Sequence, residues 1–392
     1  MHLSPTVSAI VEPATLLMAR RSRELRAQGR DIIDLSLGEP DHDPPPFALE
    51  AAHEALRGPW HKYPPVNGFA DVRQAIANKF ERDNGLHYTA EQIIVSTGAK
   101  QAIMNAVMSI CGPGDEVVIP APYWVSYSEQ VRLAGATPVL VTSTLEEDWK
   151  PTIERIAKAI TPRTRLLMFS SPCNPSGSVL SRAELEALAE VVAKHDELYV
   201  IADEIYEHIV FEGEHFSFAS IPGMAERTIT VNGLSKAFAL TGWRVGYIGA
   251  PLWIAQACTK VQGQFTSGAN SIAQRVAKAC VEADPAQLAS MRADFKRRRD
   301  LMVKAVSAIP GWRCNVPQGA FYLLPDVRSS IDGKTIKGSV DLSLYLLDTA
   351  GVSLVEGRSF GAEGTLRISY ATSDAKLVEA MQRVAKAIGE LH

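Results

Sequence analysis

Short uninterrupted apolar runs alternate along the chain with longer stretches whose apolar residues recur every three to four positions. The first pattern suits a strand buried on both faces, the second a helix with one apolar stripe. Thus "QIIVS" at 92–96 precedes "AKQAIMNAVMSI", "DEVVI" at 115–119 precedes "WVSYSEQVRLA", and "RLLMF" at 165–169 precedes "RAELEALAEVVAKH", followed by "LYVIAD" at 198–203 and "TITVN" at 228–232. This order predicts an α/β fold with a mostly parallel sheet flanked by helices. Turn chemistry falls between the elements, in "CGPGD" and in "SSPCNPSG", the latter leaving a strand end. Sheets of this kind bind ligands where loops leave the carboxyl ends of their strands, so polar residues there are the first candidates for function.

Near Pro285 the texture changes to a long charged helical stretch, "LASMRADFKRRRDLMVKAVSAI", then the short strands "AFYLLP" and "TLRISYA" and a final helix. The spacing predicts a second, smaller α+β unit, joined by the N-terminal stretches "ARRSRELRAQG" and "DIIDLSLGEPD". The expected division is 46–295 for the large unit, and 1–45 with 296–392 for the small one. The basic run at 296–299 reads as a solvated helix face.

Composition narrows the function classes. With 392 residues, 40 basic and 44 acidic side chains and a net charge of −4, no global field draws the chain to nucleic acid or an anionic membrane, and a small-molecule partner is expected. Five scattered cysteines without C-x-x-C spacing argue against a disulfide framework and a zinc cage. No stretch has the form of a secretory signal or an apolar span of 18 residues, so a cytoplasmic location is expected. G-x-G-x-x-G, G-x-x-x-x-G-K-[ST] and H-E-x-x-H are all missing from the sequence, which removes support for dinucleotide, P-loop and zincin readings.

A set of polar residues after predicted strands remains. In "NGLSKAFALTGWR", Lys236 lies among small and apolar neighbours, a setting that suppresses protonation and makes an amine a nucleophile toward carbonyls, although a surface lysine fits the same local pattern. In "LYVIADEIYEH", Asp203 either caps a helix or faces a protonated ring nitrogen, with Tyr206 three residues on. The amides near Gly98 and Ala99, in "STGAKQA", open a helix and suit a phosphate. Trp124 offers a ring to stack on a planar cofactor or to fill the core, and Asn174 in "SPCNPSG" is a polar group in a proline-fixed loop.

Taken together, "LSLGEPD", "KYPPVNG", "TGAKQA", "APYWVSY", "SPCNPSG", "ADEIYEH", "NGLSKAFALTGWRVGY", "PQGAFYL" and "LRISYATS" resemble, over nearly the whole chain, the class I aminotransferases of fold type I, which use pyridoxal 5'-phosphate. Within that family the chain looks most like the branch acting on aspartate and prephenate. The resemblance implies that Lys236 holds the cofactor as a Schiff base and later shuttles the substrate proton. It implies that Asp203 pairs with the pyridine nitrogen, that Tyr206 and Asn174 bond to the ring's 3-oxygen, and that Trp124 stacks on the ring. Gly98, Ala99 and neighbouring Lys100, Ser235, Arg244 and Tyr63 of the partner subunit would surround the phosphate, making a homodimer with shared sites the expected assembly. Relatives outside this branch often have serine where this chain has Gly233, which weakens the role of Ser235.

For the substrate, the resemblance implies that Arg367 grips the α-carboxylate bidentately, with Gly38, Trp124 and Asn174 beside it, and that Lys100 and Thr15 meet a distal carboxylate. The expected reaction moves the amino group of aspartate or glutamate to a 2-oxo acid such as 2-oxoglutarate or oxaloacetate. Prephenate, aromatic, neutral or basic substrates, or a C–S lyase on the same fold, are the alternatives. Glu12 either repels a second substrate anion and attracts a cationic amino acid, or points to solvent and does nothing.

Overall fold

The computed structural model describes residues 3–8 and 10–391. Seven strands form the main sheet: β1 (Ile93–Ser96), β2 (Glu116–Pro120), β3 (Thr137–Val141), β4 (Thr164–Ser170), β5 (Tyr199–Asp203), β6 (Thr228–Gly233) and β7 (Gly246–Gly249). Their order is β1-β7-β6-β5-β4-β2-β3, and β7 alone runs against its neighbours. The apolar runs are continuous because both faces are covered: in β5, Ile201 packs into one core with Ile94 and Val231, while Val200 and Ala202 enter another with Leu167 and Leu188. Strand β3, at the edge, is the one whose side chains reach solvent.

Parallel pairing brings the carboxyl ends of β4, β5 and β6 to one edge of the sheet, and the loops that follow carry Asn174, Asp203 and Lys236 there. Beside this edge lie two small sheets. Ile33–Asp34 pairs in parallel with Val352–Ser353, and Leu366–Ser369 lies antiparallel between Val355–Glu356 and Tyr322–Leu323. The helices Ala289–Ser307 and Asp374–Gly389 pack on them around Phe295, Met302, Phe321, Ile368, Met381 and Val384. Ile205, Tyr206 and Ile209, which directly follow β5, belong to this second core. The chain leaving the sheet is therefore shared by both bodies of packing.

One expectation fails here. The run at 296–299 is not a solvated face: Lys296 and Arg297 are exposed, but Arg298 and Arg299 are buried. A helical step of 100° per residue turns them onto the side of Phe295 and Met302. There Arg298 donates to Asp41 at 2.6 Å, and Arg299 donates to Pro317 O at 2.7 Å and to Glu212 at 2.8 Å. They clamp the segment around residue 41 and the loop after β5 onto the helix.

Behind the site edge, the side chains alternating with Asp203 and Tyr206 point away and are anchored. Glu204 accepts from Ser217 Oγ and from the Phe218 amide at 3.2 Å. Glu207 forms a buried ion pair with Lys79, and Asn84 bonds to both partners at 2.7 Å. Lys79 and His208 hold Glu207 well below the usual carboxylate range against the opposing effect of burial. Lys79→Met should cost about 3–5 kcal/mol in urea unfolding, because it strands a buried carboxylate. Because the folded pKa is depressed, the pair's contribution should be complete above the carboxyl's ordinary value and be lost progressively as acid protonates Glu207; stability–pH curves of wild type and variant should converge there.

Candidate active site

A cleft of about 220 Å³ opens at the carboxyl edge of the sheet, against the second core. It gathers Thr15, Gly38, Ala99, Lys100, Trp124, Asn174, Asp203, Tyr206, Ser235, Lys236, Arg244 and Arg367, residues spread from one end of the chain to the other. Of the sequence-derived set, Gly98 lies just outside, packed against Arg244, and Tyr63 stands on the surface, 98% exposed and away from the lining.

Lys236 follows β6 and reaches into the cleft, where its Nζ donates to Gly38 O at 2.5 Å. Desolvation, with Arg367 and Arg244 nearby, lowers its pKa to about 8. Asp203 ends β5 and is buried; Oδ2 accepts from the Tyr127 hydroxyl at 2.6 Å and Oδ1 from the Ile205 amide at 3.3 Å. Burial pushes its carboxyl up to about 6, with Tyr127 opposing the rise. A carboxylate held this way, facing a cavity without a cation of its own within ion-pair distance among the described residues, suits a protonated ring nitrogen. The Tyr206 hydroxyl lies 2.9 Å from that of Tyr322.

Arg367, on the strand Leu366–Ser369, is 1% exposed and lies between the rings of Tyr322 and Phe360, at 4.7 and 5.0 Å. It donates to Asn174 Oδ1 at 3.1 Å and to Ser36 O, while its Nε has no partner among the described residues. No carboxylate among them lies within ion-pair distance. A buried guanidinium so placed fits an incoming carboxylate.

At the other end, helix Ala99–Ile110 begins at Gly98, whose φ of +82° suits glycine and whose position carries no capping side chain. A Cβ there would come within 2.5 Å of Arg244 Nη2, so the guanidinium rests on bare backbone. The first-turn amides, the Ser235 hydroxyl and Arg244 form a cradle whose donors match a phosphate. Serine at 233 would not fit this chain: a Cβ on Gly233 would approach Val245 O to 2.8 Å. Lys100 Nζ sits 5.0 Å above the Trp124 ring, and burial and Arg244 lower its pKa. Glu12 is turned outward to Arg20 at 3.2 Å and does not line the cleft.

Two residues of the site were not singled out from the sequence. Tyr127, three positions after Trp124 in "PYWVSY", could have been found from helical spacing on the same side; Tyr322 sits in "AFYLLP", whose signal is that of a core strand.

Comparison with known proteins agrees with this geometry. The model of the family "Aminotransferase class I and II" matches residues 30–384. A bifunctional aspartate aminotransferase and glutamate/aspartate-prephenate aminotransferase of Petunia hybrida is 47% identical, over 99% of this chain and 83% of its own. An aspartate/prephenate aminotransferase of Cereibacter sphaeroides is 44% identical over 97% of both. Among solved structures, the aspartate aminotransferase of Rhizobium meliloti superposes with a TM-score of 0.95 at 40% identity over 99% of both chains, and that of Thermus thermophilus with maleate with 0.94 at 42%, over 99% of this chain and 100% of the other. The chain belongs to the class I and II aminotransferases, enzymes that depend on pyridoxal phosphate.

Proposed function

We propose that this aminotransferase takes the amino group from aspartate or glutamate and passes it to a 2-oxo acid such as 2-oxoglutarate or oxaloacetate. The observation that carries the reading is the pair of cations facing one cleft: Arg367, buried with no carboxylate within ion-pair distance among the described residues, and Lys100, whose amine stands over the Trp124 ring. A dicarboxylic amino acid supplies one carboxylate to each.

The cofactor, when bound, withdraws electrons from the substrate's Cα and so acidifies its Cα–H. The protein's part is positional and electrostatic. Arg367 and Asn174 fix the α-carboxylate, and this orientation decides which bond at Cα stands perpendicular to the ring, favouring proton loss over decarboxylation. Asp203, oriented by Tyr127, would keep the ring nitrogen protonated. Tyr206 would donate to the ring's 3-oxygen, and Trp124 would pack against the ring. Lys236, lowered to about 8, is poised to take and return the Cα proton near neutral pH. The Ala99 amide, with Ser235 and Arg244, would hold the phosphate, while the Gly98 amide, expected to join them, is already spent on Ser96 O at 2.8 Å.

The same cation pair suits prephenate, another dicarboxylate, and the names of the Petunia and Cereibacter relatives favour it as a second amino acceptor. Glu12, turned to Arg20, does not oppose it. The assembly we propose is a cytoplasmic homodimer in which the partner's Tyr63 completes the phosphate cradle; the expected division at 295 would cut the helix Ala289–Ser307, whose Met291 and Phe295 lie in the second core, so we place it ahead of that helix. The exposed Tyr63 side chain supports the dimer, and the absence of any helix long and apolar enough to cross a membrane, among the described residues, is compatible with the location.

Borohydride reduction of the purified enzyme should fix a pyridoxyl group on the peptide carrying Lys236, and Lys236→Ala should keep cofactor non-covalently yet lose transamination; label on another lysine rejects the assignment. Lys100→Ala should lower kcat/KM for aspartate by at least about tenfold, the worth of one charge-assisted contact, and change alanine turnover much less; equal losses would remove Lys100 as selector. Mixing inactive Lys236→Ala and Tyr63→Phe proteins under subunit exchange should restore activity through hybrid dimers, and no recovery would count against a shared site.

A further inference from the structure

We propose that Tyr322 is a positioning residue for the proton of Tyr206, and through it sets how readily the Lys236 Schiff base gives up its own proton. The inference rests on the site reading above, in which Tyr206 faces the 3-oxygen of the cofactor ring.

Tyr322 lies fully buried on the strand Tyr322–Leu323, in register with Ser369 two residues from Arg367. Its hydroxyl has one hydrogen-bond partner among the described residues, the Tyr206 hydroxyl at 2.9 Å. The two rings meet edge to face at 5.9 Å, so the pair is locked by packing as well. The main chain of Gly38 is pressed against the same oxygen: a Cβ there would come within 2.3 Å of it. Gly38 O is the acceptor of the Lys236 amine, and the Tyr322 ring carries the Arg367 guanidinium at 4.7 Å. One side chain thus touches the groups that hold the lysine, the ring oxygen and the substrate carboxylate.

The direction of its hydrogen bond follows from counting protons. Each phenol has one proton to donate and lone pairs to accept. Between two tyrosines alone, either can donate. An anionic ring oxygen can only accept, so Tyr206 must spend its proton there, and the 2.9 Å contact then survives only with Tyr322 as donor. A hydroxyl that accepts a hydrogen bond becomes a stronger donor in turn. Stronger donation from Tyr206 draws charge on the ring oxygen away from the neighbouring imine nitrogen, which then holds its proton less firmly. The Tyr322 hydroxyl accordingly lowers the imine pKa, while its ring serves Arg367 and Gly38 by packing.

The test titrates the imine in the holoenzyme by absorbance, for wild type, Tyr322→Phe and Tyr206→Phe. Tyr322→Phe should raise the imine pKa by about 0.5 unit, less than Tyr206→Phe does. The acid limb of the kcat/KM profile should move with it, and maleate affinity and the melting temperature of the apoenzyme should hold. A 3-fluorotyrosine at 322 keeps the shape and strengthens the donor, so it should lower the imine pKa; this arm stands even where Tyr322→Phe folds poorly. A shift in Tyr206→Phe with none in either 322 variant overturns this inference and leaves the site reading intact. No shift in any variant overturns both.

Discussion

Four cationic side chains, Arg367, Lys236, Arg244 and Lys100, line one cleft with a single carboxylate, Asp203. This imbalance is the constraint on which the site depends. Burial first, and repulsion by the neighbouring arginines second, lowers Lys236 and Lys100. The fold must hold them together by other means, and it does so with rings above and below Arg367, backbone oxygens from Ser36 and Gly38, and bare backbone under Arg244. What such a cleft lacks is anions, and the ligands of an aminotransferase bring them: a phosphate at one end and carboxylates at the other.

The sheet explains how residues so distant in sequence meet. Parallel strands deliver their carboxyl ends to one edge, so Asn174, Asp203 and Lys236 need only follow their strands. The second core supplies Arg367 and Tyr322 from the other side. The chain after β5 belongs to both, with Asp203 ending the sheet and Tyr206 buried in the second core. Glu204 and Glu207, pointing the other way, rivet this strip to Ser217 and Lys79.

Much of this was legible in the sequence, because the signals were local. Apolar runs of strand length separated by helical periodicity announced the parallel sheet, and motifs at strand ends announced most of the cleft. Other parts depend on partners that no local pattern names. The arginines at 298 and 299 look like a solvated run until the helix turns them onto Asp41 and Glu212, far away in sequence. Tyr322 reads as a core residue, and it is one; its hydroxyl gains a role only because Tyr206 arrives beside it. The direction of Glu12, outward to Arg20, is likewise invisible without coordinates.

Position 100 serves two masters with separate parts of one residue. Its main chain belongs to the opening turn of the helix Ala99–Ile110, while its amine reaches over Trp124 into the cleft. The first duty is indifferent to which side chain is present. On the proposed reading, therefore, a change of side chain there would alter the charge offered to the far end of the substrate while the helix amides stay in place, which is one physical reason a scaffold like this can diversify.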